Sequence, residues 1–421
     1  MIKLWFAIKS IGFIGWEVIC HLCGRERLHC VKNIANFLKK NNIIYVKLFQ
    51  AISIGVINLT DSEAEFLSQF TDSVPYSMSD IQDIQTIAKS ITSSTGKTLE
   101  VDLWPSQSGM IALVYNGVYN GEEVIIKVKR QDISLKVKEG LDNMHMVIRM
   151  SRWVPWLWSL DLNGVYRENI EDLLKQCDFK NEVENASRFW KNFSKVKYAK
   201  VPKVYPEVTA VDNDVIVMEK LKGWKIKEVP VERRREYGGL LAKTVMKSVL
   251  YDGFFHADMH SGNMLFIDDV TPCIGIFDFG IMGSLTDTAM EGFYEFFKAG
   301  SIYNDSLSAA KAITRLLVAE PNDYDKLDLN IKENITNELE SLVSEIFSTN
   351  SHLDISIVKR CNKLLSSYGL ILSKEFCKIQ LAMAVSAGVA TELCGGTAPY
   401  MEEVTRSVKS MIGSEISMGL F

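Results

Sequence analysis

The chain has 421 residues, 47% of them hydrophobic, which is enough for a large apolar core and for two to three units of ordinary size. Its formal charge is −5, from 47 Lys and Arg against 52 Asp and Glu, so the basic excess of a nucleic-acid-binding surface is excluded. Eight scattered cysteines without a cleavable secretory signal point to reduced thiols and an intracellular protein.

The stretch from Ile2 to Leu22 is rich in aromatic residues, Trp5, Phe6, Phe13 and Trp16 among them, and is interrupted by Lys3, Lys9 and Glu17. Those charges argue against a spanning helix. Two readings stay open: a helix lying in a membrane interface with its lysines reaching for water, as in a peripheral membrane protein, or a helix packed on the domain. Cys20-His21-Leu22-Cys23 with His29 and Cys30 is the one cysteine cluster, and because no second C-x-x-C follows it reads as part of an amphipathic helix before it reads as a metal knuckle. Helical spacing continues to about Ile91, with Asp80 opening the series Ile81, Ile84, Ile87, Ala88 and Ile91.

From Leu99 the pattern turns to strands. Met110 to Tyr115 leads to Asn120-Gly121, a two-residue hairpin signal, and then to Val124-Ile125-Ile126-Lys127-Val128. Lys127 shares a strand face with Ile125; alone it is either an edge lysine facing water or a lysine reaching phosphates. A phosphate-binding lysine needs a carboxylate to hold it. The helix pattern from Asp178 to Phe193 supplies Glu182, with Phe179, Val183, Ala186, Trp190 and Phe193 as its apolar stripe and Asp178, Glu182 and Asn185 on a neighbouring polar stripe. Val215 to Glu219 reads as a further strand running into a polar hinge that Gly223 ends, and Arg233-Arg234-Arg235, flanked by Glu232 and Glu236, as a solvated helix face.

The chemistry concentrates in His256-Ala257-Asp258-Met259-His260-Ser261-Gly262-Asn263, followed by two short apolar runs around Asp268-Asp269 and then by Asp278-Phe279-Gly280. Asn263 stands five residues after Asp258, the spacing of a protein-kinase catalytic loop, and the hairpin and the Asp-Phe-Gly triplet follow in kinase order. Magnesium needs hard oxygen ligands, which the Asn263 amide and the Asp278 carboxylate supply, leaving Asp258 to face an attacking nucleophile. A different reading uses the alternation of His256, Asp258 and His260 as three ligands for a transition metal in a hydrolase. Beyond Gly283 the chain is helical again, with Ile331, Ile335, Leu339, Leu342 and Ile346 at helix spacing and Ile379 to Leu393 as a buried helix.

With these residues in order, the chain resembles the UbiB/ADCK (AarF-domain) atypical kinase-like family from about Asn42 to Leu285. The resemblance is carried by the segments Asp178 to Asn185, Val201-Pro202-Lys203-Val204-Tyr205 and Gly253 to Asn263. It implies an α+β, protein kinase-like bilobal fold: an N-terminal helical extension over 1–95, a small β-rich N-lobe with inserted helices over 96–222, and a helical C-lobe over 223–421. It also implies ATP and Mg2+ as cofactors, with Lys127, Glu182, Gly109 and Glu219 at the nucleotide and Asn263 and Asp278 at the metal. Asp258, Asp178 and Lys127 are the catalytic candidates. The family's K-x-G-Q motif corresponds to Lys47-Leu48-Phe49-Gln50, with Phe49 in place of the glycine and Lys47 and Gln50 retained near the nucleotide. Its alanine-rich nucleotide loop corresponds to Pro105 to Met110, made more flexible by Gly109, and its E-x-D to Gln176-Cys177-Asp178. Gln176 cannot act as a base at neutral pH, whereas Asp178 can. No Ala-Pro-Glu follows Gly280, so a peptide-docking activation segment is not expected. The family is associated with lipid-linked biology, notably coenzyme Q biosynthesis, which implies a nucleotide, a lipid or membrane surface and coenzyme Q biosynthesis proteins as partners. The departures at Phe49, Gln176 and the loop define the alternative, a catalytically impaired pseudokinase scaffold.

Overall fold

The structure is a computed structural model that describes residues 2–42, 44–45, 62–63, 66, 74–151, 170, 174–347, 355–396 and 398–418. Its strands are β1 (Leu99–Val101), β2 (Gln107–Ser108), β3 (Ala112–Tyr119), β4 (Glu122–Lys129), β5 (Ala199–Lys200), β6 (Val215–Glu219), β7 (Phe254–His256), β8 (Met264–Ile267), β9 (Cys273–Ile276) and β10 (Met282–Ser284). The helices up to the middle of the chain are α1 (Ile2–Leu22), α2 (Arg27–Asn41), α3 (Ile84–Thr95), α4 (Ile133–Ser151), α5 (Phe179–Phe193), α6 (Pro206–Val211) and α7 (Val231–Met246). Those that follow are α8 (Asp287–Ser301), α9 (Ser306–Thr314), α10 (Pro321–Asp325), α11 (Leu329–Phe347), α12 (Ile355–Ser367), α13 (Lys374–Cys394) and α14 (Ala398–Met418). The chain divides into two units, residues 1–183 with 204–220 and residues 184–203 with 221–421.

In the first unit the Asn120-Gly121 pair takes left-handed angles, φ 50° and 87°, as a two-residue type I′ turn demands, and joins β3 to β4 with Tyr119 opposite Glu122. The antiparallel sheet runs β1-β3-β4-β6, with β2 added to β3. Gly117 sits in mid-strand because a Cβ there would collide with the Glu100 carbonyl and the Ile126 side chain. Strand alternation sends Val124, Ile126 and Val128 into a core shared with Leu113, Tyr115, Val215 and Val217 and closed by Ile84, Ala88 and Ile91 of α3. Lys127 is therefore on the opposite face.

Helix α3 starts later than its periodicity suggests. Its cap is Asp83, whose carboxylate accepts from the Thr86 amide at 3.2 Å, whereas the Asp80 carboxylate is drawn to Arg130 and Lys136. A second core forms where Ile133, Val137, Leu141, Met144 and Ile148 of α4 pack on Ile44, Val74 and Met110, and a third where Phe6 meets Val31, Ile34, Leu38 and Tyr45. The other face of α1 is bare: Trp5, Ile8, Trp16, Ile19 and Leu22 are all more than half exposed. Glu17, one of the charges that argued against a span, is buried against Arg25 at 3.0 Å and Asn33 at 3.2 Å. By length and composition alone, Trp5–Leu22 and Glu375–Cys394 are both apolar enough to cross a membrane; 50% of the second window is buried within the protein, against 22% of the first.

In the second unit β8 and β9 form the antiparallel hairpin around Asp268-Asp269, β5 adds to β9 in parallel, and β7 pairs with β10. Helix α7 ends in a π-helical turn, Lys247–Tyr251, closed by the Asp252 amide on the Lys247 carbonyl at 3.1 Å. There the Lys247 ammonium reaches both Asp252 carboxylate oxygens at 2.7 Å and the Asn192 carbonyl at 3.1 Å. On α5 the expected stripe is buried at Phe179, Val183, Ala186 and Phe193 but not at Trp190, which is 43% exposed; Phe189, fully buried and stacked on Phe193 at 4.6 Å, takes its place. The reason is tertiary, since Phe189 also packs on Phe254 and Phe279.

Candidate functional site

In the first unit the Lys127 ammonium lies 2.6 Å from Glu182 Oε1, with the two side chains only 11% and 7% exposed. The sheet and the helix each dictate one partner: alternation along β4 turns Lys127 away from the valine and isoleucine core, and Glu182 falls in the first turn of α5, where the helix dipole favours a carboxylate. Next on the same strand face, Lys129 pairs with Asp214 at 2.9 Å and lies over the Phe179 ring.

Register places the segment that precedes β3 two strands away from this lysine, at the same level of the sheet. Gln107, Val114, Lys127 and Ile216 stand opposite one another across β2, β3, β4 and β6, so the β2 backbone is two strand spacings, roughly 10 Å, from Lys127. Gly109 is not the flexible point expected of it. Its amide donates to the Ala112 carbonyl at 2.9 Å, its own carbonyl accepts from Arg130 twice, and an added Cβ would meet only ordinary contact. Glu219 ends β6 opposite Val124, and the next amide, Lys220, donates to the Glu123 carbonyl at 3.2 Å.

In the second unit His256 organises the loop. It is 1% exposed; its Nδ1 accepts from the Asp258 amide at 3.0 Å, and its Nε2–H donates to the Asp278 carbonyl, a tautomer assigned from those two partners. Burial holds its pKa below the ordinary imidazole value, outweighing the opposing pull of the Asp258 and Asp278 charges, so it stays neutral. Asn263 Nδ2 donates to the Asp258 carbonyl at 3.1 Å, which assigns the nitrogen side of the amide to the loop backbone and leaves the oxygen on the other side. Asp278 accepts from the Gly280 amide at 3.1 Å. Phe279 is fully buried, and its carbonyl accepts from Asn185 Nδ2 at 3.1 Å, a contact that fixes the Asp-Phe-Gly backbone. The Asp258 carboxylate is 40% exposed and lies 3.7 Å from His260 Nε2. The structure thus gathers Asp258, Asn263 and Asp278 around one imidazole, and their amide and carboxylate oxygens are the hard donors Mg2+ takes.

Other sequence candidates do not join these groups. Asp178 is exposed and caps α5, its Oδ1 accepting from the amides of Lys180 at 3.1 Å and Asn181 at 3.4 Å. Lys47, Phe49 and Gln50 lie outside the described residues. The transition-metal triplet is overturned: both His256 nitrogens are already engaged, and His260 Nδ1 accepts from the Gly262 amide at 3.0 Å. Among the described residues no three His, Cys, Asp or Glu side chains gather as metal ligands, and this covers the Cys20, Cys23 and Cys30 cluster too. The sequence reading missed Arg130 altogether and gave Asn185 no role beyond the polar stripe.

A lysine–glutamate pair on a small antiparallel sheet and an Asp-x-x-x-x-Asn loop tied to Asp-Phe-Gly define a kinase-like protein. The model of the ABC1 atypical kinase-like domain matches residues 70–313, and the chain belongs to that family. It is 29% identical over 314 residues to activity of BC1 complex kinase 8, chloroplastic, of Arabidopsis thaliana, an alignment covering 70% of this chain and 39% of the plant protein. It is 32% identical over 285 residues to the probable protein kinase UbiB of Actinobacillus pleuropneumoniae serotype 7, covering 60% and 50%. The chain thus spans between 39% and 50% of the length of these two relatives. Among solved structures, that of Rv3197 with erythromycin from Mycobacterium tuberculosis matches with a TM-score of 0.50 at 18% identity, covering 85% of this chain and 89% of that one, a likeness of fold.

Proposed function

We propose that the protein is an ATP-dependent phosphotransferase or ATPase of the atypical kinase-like class, acting at a membrane surface in lipid or coenzyme Q metabolism. Lys127 contacts the nucleotide phosphates while Glu182 holds its ammonium; Gly109, Glu219, Lys47 and Gln50 lie along the nucleotide; Asn263 and Asp278 hold Mg2+. Asp258 accepts the proton of the attacking group, with Asp178 the second candidate. The three-part organisation 1–95, 96–222 and 223–421 belongs to the same reading.

The observation that carries it is the buried Lys127–Glu182 pair, because a sheet lysine and a helix glutamate 55 residues apart are held at 2.6 Å where an exposed pair would contribute little. Magnesium, when bound, would neutralise charge on the phosphates, and the residues that hold it would contribute mainly by positioning and by fixed charge. The membrane component rests on the family resemblance and on the bare apolar face of α1 with its two exposed tryptophans.

Phosphate release from Mg-ATP, with and without lipid vesicles, tests the reading on the wild type and on Asp278→Asn and Lys127→Ala; unchanged turnover in both variants ends it. One observation favours the pseudokinase alternative: Asp178, the carboxylate left in the Gln176-Cys177-Asp178 segment, is engaged as a helix cap. That alternative expects stabilisation by nucleotide, about 2.7 kcal/mol at one hundred times the dissociation constant, without phosphate release.

A further inference from the structure

Arg130 follows β4 directly and is 5% exposed, although it carries a full charge. Nε and Nη2 donate to the Gly109 carbonyl at 3.0 and 2.8 Å, and Nη2 also to Ser108 Oγ at 2.8 Å and to the Val74 carbonyl at 3.0 Å. Nη1 donates to the Pro75 carbonyl and the Asp80 carboxylate, both at 3.2 Å. Asp80 is thus the one charged acceptor in the set, and it is shared with Lys136 at 2.9 Å. Burial lowers the guanidinium pKa in spite of Asp80, which marks the position as one that would not be chosen for stability alone.

What a guanidinium brings to such a place is geometry. Its planar fork ties three backbone segments together: 74–80, the turn at 108–109, and the end of the strand that bears Lys127. The surrounding bonds repeat the tie, with the Val74 amide on the Ser108 carbonyl at 3.0 Å, Ser108 Oγ on the Val74 carbonyl at 2.6 Å, and the Arg130 amide on the Ile111 carbonyl at 2.9 Å. A lysine offers one ammonium and no fork.

We propose that Arg130 is a positioning residue for nucleotide phosphates: it fixes the carbonyls of Gly109, Val74 and Pro75, and so sets the shape of the 105–110 loop against the strand carrying Lys127. The proposal rests on the nucleotide reading above. It makes phosphate affinity depend on a residue that touches no phosphate, and it makes the 74–80 segment part of the same rigid piece as the loop.

The test measures the dissociation constant for Mg-ADP, and hydrogen exchange at amides 106–110, for the full chain and for Arg130→Met, Arg130→Lys and Ile91→Ala, each well below its melting temperature. Arg130→Met is expected to weaken binding tenfold or more, about 1.4 kcal/mol, and to speed exchange in the loop. Arg130→Lys, which keeps the charge and the fold, stays at least fivefold weaker than wild type. Ile91→Ala, which opens the core of the same unit, lowers the melting temperature while binding stays within twofold. The role is overturned if Arg130→Met binds within twofold of wild type, if Arg130→Lys restores full affinity, or if Ile91→Ala weakens binding as much as Arg130→Met. Should Arg130→Met fail to fold, Arg130→Lys decides alone. A wild-type chain that does not bind Mg-ADP removes the nucleotide reading and this role with it, whereas wild-type binding that Arg130 variants leave unchanged removes this role only.

Discussion

The candidate residues of the first unit and those of the second are positioned by different kinds of contact. In the first unit the charges close on each other: Lys127 and Glu182 are both buried and share a 2.6 Å contact, so the pair is held by mutual attraction. In the second unit a neutral imidazole holds the loop backbone at Asp258 and Asp278, Asp278 also accepts from the Gly280 amide, Asn263 is pinned through its nitrogen, and Asp258 is 40% exposed. A buried pair is damaged by losing either partner, because each supplies a full opposite charge to the other in a place water does not reach. An array of oxygens is damaged most in what it can coordinate.

The sharpest way to separate the two kinds of contact is Glu182→Gln, expected to lower unfolding stability by about 3 kcal/mol by urea titration because it removes the carboxylate charge 2.6 Å from the buried Lys127 ammonium. Adding Lys127→Met should recover a large part of that loss, and a double variant no better than the single one would break the comparison. Next comes Asp278→Asn, which should leave the urea midpoint close to wild type yet slow phosphate release at least a hundredfold, about 2.7 kcal/mol of activation free energy. A large stability loss with intact turnover would reverse the assignment of the two groups of residues.

The imidazole gives a third handle. The folded state keeps His256 neutral while the unfolded chain takes up a proton near the ordinary value of about 6.5, so below that pH the unfolded state binds more protons and stability falls. The expected slope between about pH 6.5 and pH 5 is at most about 1.4 kcal/mol per pH unit, and His256→Asn should flatten it. The smallest effect is at the hairpin: Gly121→Ala, at φ 87°, should cost about 1 kcal/mol in a thermal melt without changing nucleotide affinity.

Local patterns carried the sequence reading furthest. Asn120-Gly121, the strand alternation around Lys127 and the spacing from Asp258 to Asp278 are short-range signals, and each has its counterpart in the structure. Even the pairing of Lys127 with Glu182, argued from co-occurrence, is met by a direct bond. Choices settled by distant partners were not legible. Two aspartates could cap α3, and only Arg130 and Lys136 decide that Asp80 goes elsewhere. Trp190 fits the helical stripe better than Phe189 until Phe254 and Phe279 are there to pack against. Arg130 gives no pattern at all, since its acceptors lie from 21 to 56 residues away and most are backbone carbonyls, which every sequence has.

The π-helical turn at Lys247–Tyr251 carries a supernumerary residue, and that gives the chain a phase adjustment of one residue between α7 and β7. Deleting a residue within it would restore an ordinary α-helical turn and rotate everything downstream by about 100° before β7 begins. Strand β7 ends at His256, so the same deletion would swing the imidazole off the Asp278 carbonyl while leaving every catalytic candidate in the sequence. The indexing of the loop is thus set by a length, five residues over 247–251, that no catalytic motif records.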